Sequence, residues 1–307
     1  MPGNELCPEY SFQPVAIALI ALAVAIGTAG ASVPRDDRGA VSAQESLFDL
    51  PAPLGPDGHV VIIIVDGLRP DLISAEGAPT LTRLVSEGAA SLKARTVLPS
   101  QTLPAITSIL TGLHPRDHGV TWNTYEPDKG IVEAATIFDV AHDAGLGTAF
   151  FSGKTKLRHT VRPSTLDSMS ASFLPDASVV LLARTYLVEQ QPNLMLVHLP
   201  NVDRAGHEFG WRRAEQRETL RQTDTAIASL VAVIESGEIP GPSRVILTAD
   251  HGGEGWIHER PRSGNLTVPW ILWGDGVTPT QLPPVSVTIT ASVALHSLGL
   301  DVPDGME

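Results

Sequence analysis

The chemistry this chain could do rests on side chains that fall in four clusters, each near the end of an apolar run. They are VVIIIVDG, closing on Asp66; LPSQTLP around Thr102; DRAGH, with Asp203 and His207; and ADHGGEGWIH, with Asp250, His251 and His258. Carboxylates and imidazoles are the usual ligands of divalent metals, and a metal beside a hydroxyl lowers its pKa enough to make it a nucleophile. Read together, the clusters predict a two-metal site that hydrolyses phosphoesters.

Taken singly they carry less. An Asp ending a strand before Gly67 is more readily the start of a turn than a ligand, although a glycine there leaves room for an ion. Thr102 lies between Pro99 and Pro104, where a helix begins. On this segment alone a threonine N-cap is the default, and a nucleophile beside the amide-rich helix end is the alternative. Asp203 and His207 are four residues apart, the spacing that brings two side chains to one side of a helical turn. Asp250 and His251 are adjacent and converge on one ion only if the strand breaks, which Gly252 and Gly253 allow. His114, His118, His142, His159, His198 and His296 share no ligand spacing and read as structural or surface residues. Lys154 and Lys156 follow a strand and read either as solvated lysines or as contacts to an anionic substrate.

Continuous β-branched or apolar runs at 59–65, 147–151, 193–199, 244–248 and 268–273 have the character of strands buried on both faces. Helical patterns at 78–87, 103–110, 136–144, 176–190, 212–235 and 288–298 alternate with them. The pattern predicts an α/β fold, a mostly parallel sheet with helices on both faces, with ligands beyond the carboxyl ends of its strands.

With 43% hydrophobic and 18% charged residues the chain has ample core. A net charge of -13 excludes a stable nucleic-acid-binding surface of the usual basic kind. Cys7 is the only cysteine, which excludes an intrachain disulfide and a cysteine metal site. Residues 1–33 read as a signal peptide or membrane anchor: 15–26 are wholly apolar, though Glu5 and Glu9 stand where basic residues are usual. Membrane attachment, if any, would run through residues 14–33, and a Pro/Gly-rich linker over 34–57 leads to a catalytic domain at 58–303. That leader places the domain outside the cytoplasm: periplasmic, secreted or membrane-anchored.

VDGLRPD at 65–71, LPSQTLPAITSILTGLHPRDHGVTWN at 98–123, DRAGHEFGW at 203–211 and ADHGGEG at 249–255, in this order, resemble the alkaline phosphatase superfamily, in its type I phosphodiesterase and nucleotide pyrophosphatase branch. The resemblance implies an alkaline-phosphatase-like fold and two divalent ions, zinc, as cofactors. One would be held by Asp66, Thr102, Asp250 and His251, the other by Asp203, His207 and His258. It implies Thr102 as nucleophile and Asn123 as a contact to a nonbridging phosphate oxygen. The substrate would be a small phosphoester, such as a nucleotide. An attack by Thr102 through a covalent phosphothreonine, then by water, would invert phosphorus twice.

Alternatives remain within the same fold. A phosphomonoesterase would want a cationic clamp, for which Arg69 and Arg116 are candidates; phosphonate hydrolases resembling this branch also use a threonine. A non-enzymatic cell-surface binding module is the reading from another class, and the complete ligand set counts against it.

Overall fold

The computed structural model describes residues 50–307; the expected leader at 1–33, with its attachment segment at 14–33, lies outside the described residues, as does the linker up to residue 49. No helix among the described residues is long and apolar enough to cross a membrane.

Eight strands form one sheet: β1 (His59–Val65), β2 (Ala89–Arg95), β3 (Thr148–Ser152), β4 (Ser168–Ala171), β5 (Leu194–Leu199), β6 (Ser243–Thr248), β7 (Thr267–Gly274) and β8 (Thr280–Gln281). Their order is β4-β3-β5-β1-β6-β7-β2-β8. β4, β3, β5, β1 and β6 are mutually parallel, while β7 runs against both β6 and β2. Every residue of HVVIIIV in β1 is buried, so both faces of the sheet are covered. The helices fall in two groups. α1 (Pro79–Glu87), α5 (Asp176–Gln190) and α6 (Asn201–Phe209) pack against α7 (Ala214–Ser236); α2 (Thr102–Thr111), α3 (Pro115–His118), α4 (Ile137–Asp143) and α9 (Ile289–Ser297) pack together, and the single turn α8 (Ser263–Leu266) leads into β7.

Buried polar side chains tie helices to neighbours. The N-cap of α1, Ala78, offers no capping side chain. Asp224 of α7 supplies it, accepting from the amides of Thr80 (3.0 Å) and Leu81 (2.8 Å). Asp176, at the start of α5, likewise accepts from the amide of Asn201 (3.0 Å) at the first turn of α6.

Three strands escape the expected pattern. β2 (AASLKAR) is rich in alanine and carries Lys93 and Arg95, which are poor strand signals outside their tertiary setting. β4 (SMSA) and the two-residue β8 are too short and polar to show a period. Pro269 is the third residue of β7, an internal strand. Its missing donor is tolerated because the partner β2 shifts register between Ser91 and Ala94, where a bulge interrupts the ladder. Residues outside 58–303 also join the fold. Arg244 donates to the carbonyl of Ala52 (2.7 Å), and the amide of Glu307 donates to Gly112 (3.2 Å).

Candidate active site

Because β1, β3, β5 and β6 are parallel, their carboxyl ends share one rim, and the predicted residues meet there. Asp66 leaves β1, Asp250 and His251 leave β6, and Asp203 and His207 stand on α6 just beyond β5. Gly67 makes this approach possible: its φ is +74°, and a Cβ there would come within 3.0 Å of the Asp203 Cα. Its amide donates to Asp250 Oδ1 (3.2 Å), which also accepts from the amide of His251 (3.0 Å).

Asp203, His207 and His258 form one group whose ligand atoms lie within 4.8 Å of one another; Asp66 groups in the same way with Asp203 and His251, and with His198 and Asp250. The hydrogen bonds of the rings fix what these groups can bind. His251 Nδ1 lies 2.9 Å from the carbonyl of Gly252, His207 Nδ1 2.9 Å from that of Trp256, and His258 Nδ1 2.6 Å from that of Ser100. A carbonyl only accepts, so each Nδ1 carries a proton and each neutral ring presents the Nε2 lone pair. Those lone pairs face carboxylates: His251 Nε2 is 3.4 Å from Asp66 Oδ1, His207 Nε2 3.3 Å and His258 Nε2 3.9 Å from Asp203 Oδ1. Asp66 Oδ1, Asp203 Oδ1, Asp250 Oδ2 and His251 Nε2 are buried with no hydrogen-bond partner. Acceptors turned toward acceptors in a buried pocket fit a cation between them, and the donor set of carboxylate oxygen and imidazole nitrogen suits a divalent metal.

The local charges agree for His251 and His258, while without a metal the Asp203 carboxylate favours a proton on His207. Burial pushes His258 down to about 4 and also lowers His251, so both rings are neutral near pH 7. His207 is raised by its hydrogen bond to Asp203. Burial works to raise Asp66, but Lys154, His198 and His251 outweigh it and hold the carboxyl well below its usual range; burial and the adjacent Asp66 raise Asp250.

Thr102 is the first residue of α2 and 1% exposed. The N-cap is Gln101, so the threonine-cap expectation does not hold, and the Thr102 hydroxyl is left for another partner. Lys154 Nζ lies 3.3 Å from Thr102 Oγ1 and 2.6 Å from both Asp66 Oδ2 and Asp203 Oδ2. Asn123 Oδ1 accepts from the Leu103 amide (3.0 Å) and from Lys156 Nζ (2.8 Å), which leaves its amide hydrogens to donate elsewhere. Lys154 and Lys156 are therefore not solvated surface lysines. Their signal was their position directly after a strand end, which does not reveal direction.

His198 is the residue sequence reasoning missed. It is fully buried on β5, beside β1, and its Nε2 lies 2.9 Å from Asp66 Oδ2. Only register across two strands brings it there, so no spacing along the chain points to it. Of the other histidines set aside as structural, His118 bridges Ser108 Oγ (2.9 Å) and the Val120 amide (3.1 Å). The two arginines weighed as clamps are engaged elsewhere: Arg69 pairs with Asp71 (2.8 Å), and the exposed Arg116 with Asp117 (3.2 Å).

Comparison with known proteins gives the family and the fold. The family model for type I phosphodiesterase / nucleotide pyrophosphatase matches residues 60–256. A Schizosaccharomyces pombe protein named as an uncharacterized pyrophosphatase/phosphodiesterase is 24% identical over 216 residues, covering 63% of this chain and 44% of its own. Human ectonucleotide pyrophosphatase/phosphodiesterase family member 1 is 24% identical over 233 residues, 68% of this chain and 25% of its own. The chain thus spans less than half the length of these relatives. Among solved structures, murine ectonucleotide pyrophosphatase/phosphodiesterase 5, inactivated and in complex with AMP, superposes with a TM-score of 0.65 at 14% identity, covering 81% of this chain and 97% of that one. With an α/β sheet of the same architecture and a family match over residues 60–256, the chain belongs to the type I phosphodiesterase / nucleotide pyrophosphatase family.

Proposed function

We propose that this chain hydrolyses phosphodiester or pyrophosphate bonds of small molecules such as nucleotides, outside the cytoplasm, through a covalent phosphothreonine on Thr102 at a two-zinc site. The observation that carries the reading is the set of histidine lone pairs facing buried carboxylates beside an uncapped threonine hydroxyl. Asp66, Asp250, His251 and Thr102 would hold one ion, and Asp203, His207 and His258 the other. Bound there, the ions would supply Lewis-acid stabilisation of the attacking and leaving oxygens.

The residues do the rest. The Thr102 hydroxyl gives its proton to solvent, Oγ1 attacks phosphorus, and its bond to phosphorus forms as the bond to the leaving oxygen breaks and that oxygen takes a proton from solvent; water later attacks the phosphothreonine, releasing the phosphoryl group and returning a proton to Oγ1. Lys154, an ammonium 3.3 Å from Oγ1, stabilises the alkoxide and cannot take its proton. Asn123 and Lys156 sit together 2.8 Å apart, where an amide hydrogen and an ammonium can bind nonbridging oxygens. The start of α2 adds the positive end of its dipole.

Lys154 and Lys156 also favour a second reading: two cations beside the nucleophile suit the doubly charged phosphoryl group of a monoester or phosphonate. The test is kcat/KM of the zinc-loaded protein on bis(4-nitrophenyl) phosphate and 4-nitrophenyl phosphate. A diester preference of about a hundredfold, lost in Thr102→Ala, supports the proposal. A monoester preference overturns it in favour of the second reading.

A further inference from the structure

A cavity of about 480 Å³ is lined by Arg69, Trp211, Arg212, Arg213, Glu254 and Trp256, and two of these residues touch the Asp203–His207–His258 group. Its walls are shared with the site. Trp211 stands edge-on to His207 at 5.1 Å and to His258 at 6.0 Å, and the Trp256 carbonyl holds His207. On a chain of net charge -13 its lining is cationic. Asp71 is shared by Arg69 (2.8 Å) and Arg212 (3.5 Å), Glu254 also faces Arg262 (3.5 Å), and Arg213 has no ion pair among the described residues.

Arg212 is held in an unusual conformation to stand there. Its φ is +69°, and its amide is fixed by Gln216 Oε1 (2.7 Å), whose own amide binds the Val202 carbonyl of α6 (3.1 Å). A non-glycine residue kept in the left-handed region is an outlier that the surrounding structure must maintain. Gly210 opens the floor: a Cβ there would meet Arg213 Cγ and Trp256 at 3.4 Å. Trp256 is 55% exposed and presents an aromatic wall.

We infer that this cavity is a subsite for a second anionic group, a phosphate or carboxylate, on the leaving portion of the substrate. The inference rests on the reading of Thr102 as nucleophile. With Thr102 assigned to the other ion, a leaving group departing opposite it would reach the Asp203–His207–His258 group, whose rings touch the cavity wall at Trp211. Guanidinium donors bind such an anion in the bidentate manner, and Trp256 covers the planar or apolar part next to it.

The test compares ATP with the 4-nitrophenyl ester of AMP, substrates that transfer the same adenylyl group but expel pyrophosphate or nitrophenolate. The Arg212→Asn/Arg213→Ala variant, asparagine being tolerant of positive φ, is matched to wild type by thermal unfolding, with Arg213→Ala alone as the replacement if it fails to fold. The expected result is a kcat/KM on ATP that falls about tenfold or more beyond the fall on the ester. Equal falls on both substrates overturn the inference. If wild type turns over neither substrate, the phosphodiesterase reading fails instead. Calorimetric titration of the EDTA-treated full chain with pyrophosphate then decides: binding at least tenfold weaker in the variant supports an anion subsite, and equal or absent binding overturns it.

Discussion

Replacing His198 with leucine removes a buried hydrogen bond to Asp66 and a longer one to Ser152. Its Nε2 donates to Asp66 Oδ2 at 2.9 Å, and its Nδ1 lies 3.3 Å from Ser152 Oγ. Both His198 and Asp66 are 0% exposed, so water cannot stand in for the lost donor. A hydrogen bond to a buried charged group is worth about 1.5–3 kcal/mol, which is about 10–150-fold in affinity for whatever Asp66 holds. Loss of a residue that orients a metal ligand costs about 10–100-fold, in the same range. His198→Leu should therefore weaken zinc at the site containing Asp66 by about 10–100-fold, while His198→Gln, whose amide can still donate to Asp66, retains most of it. Competition titration against a fluorescent chelator measures this directly, with thermal unfolding in EDTA separating affinity from stability. Unchanged zinc affinity in the leucine variant would refute the argument. A loss beyond about a thousandfold that glutamine fails to restore would make His198 a ligand itself.

Thr102→Ala should bind zinc yet lose at least about a thousandfold in kcat, read by paired metal analysis and turnover. Burial, then the charge of Lys154, pushes Lys156 down to about 8. A lysine is charged below its pKa, so kcat/KM should decline as pH rises through about 8; Lys156→Arg should move that basic limb above pH 10, as the pH profile will record. Asp224→Ala leaves two amides of α1 uncapped and should cost about 2 kcal/mol, a fall of about 4–8 °C in Tm by differential scanning calorimetry.

Much of this was legible in the chain. HVVIIIV announces a strand buried on both faces, and Asp250-His251-Gly252-Gly253 announces a broken strand end, because period and glycine placement are local properties. The three ligand-bearing strand ends then needed only the parallel-sheet rule to share a rim. What stayed hidden depends on register and on distance in sequence. His198 reaches Asp66 across 132 residues, and Lys154 reaches Thr102 across 52. β2 is a strand because β7 pairs with it, not because Ala89–Arg95 prefers to be one. The Thr102 cap expectation failed by a single position, since the helix already includes that residue and a capping preference does not fix the boundary.

The central claim, a covalent phosphothreonine formed and broken in line, is tested most directly by the stereochemistry at phosphorus. The zinc-loaded protein would hydrolyse a single diastereomer of a phosphorothioate diester in isotopically labelled water, and the product configuration would be assigned by ³¹P NMR. Two inversions at Thr102 predict net retention. Net inversion would mean that water attacks the substrate directly, and the account of Thr102 would be wrong.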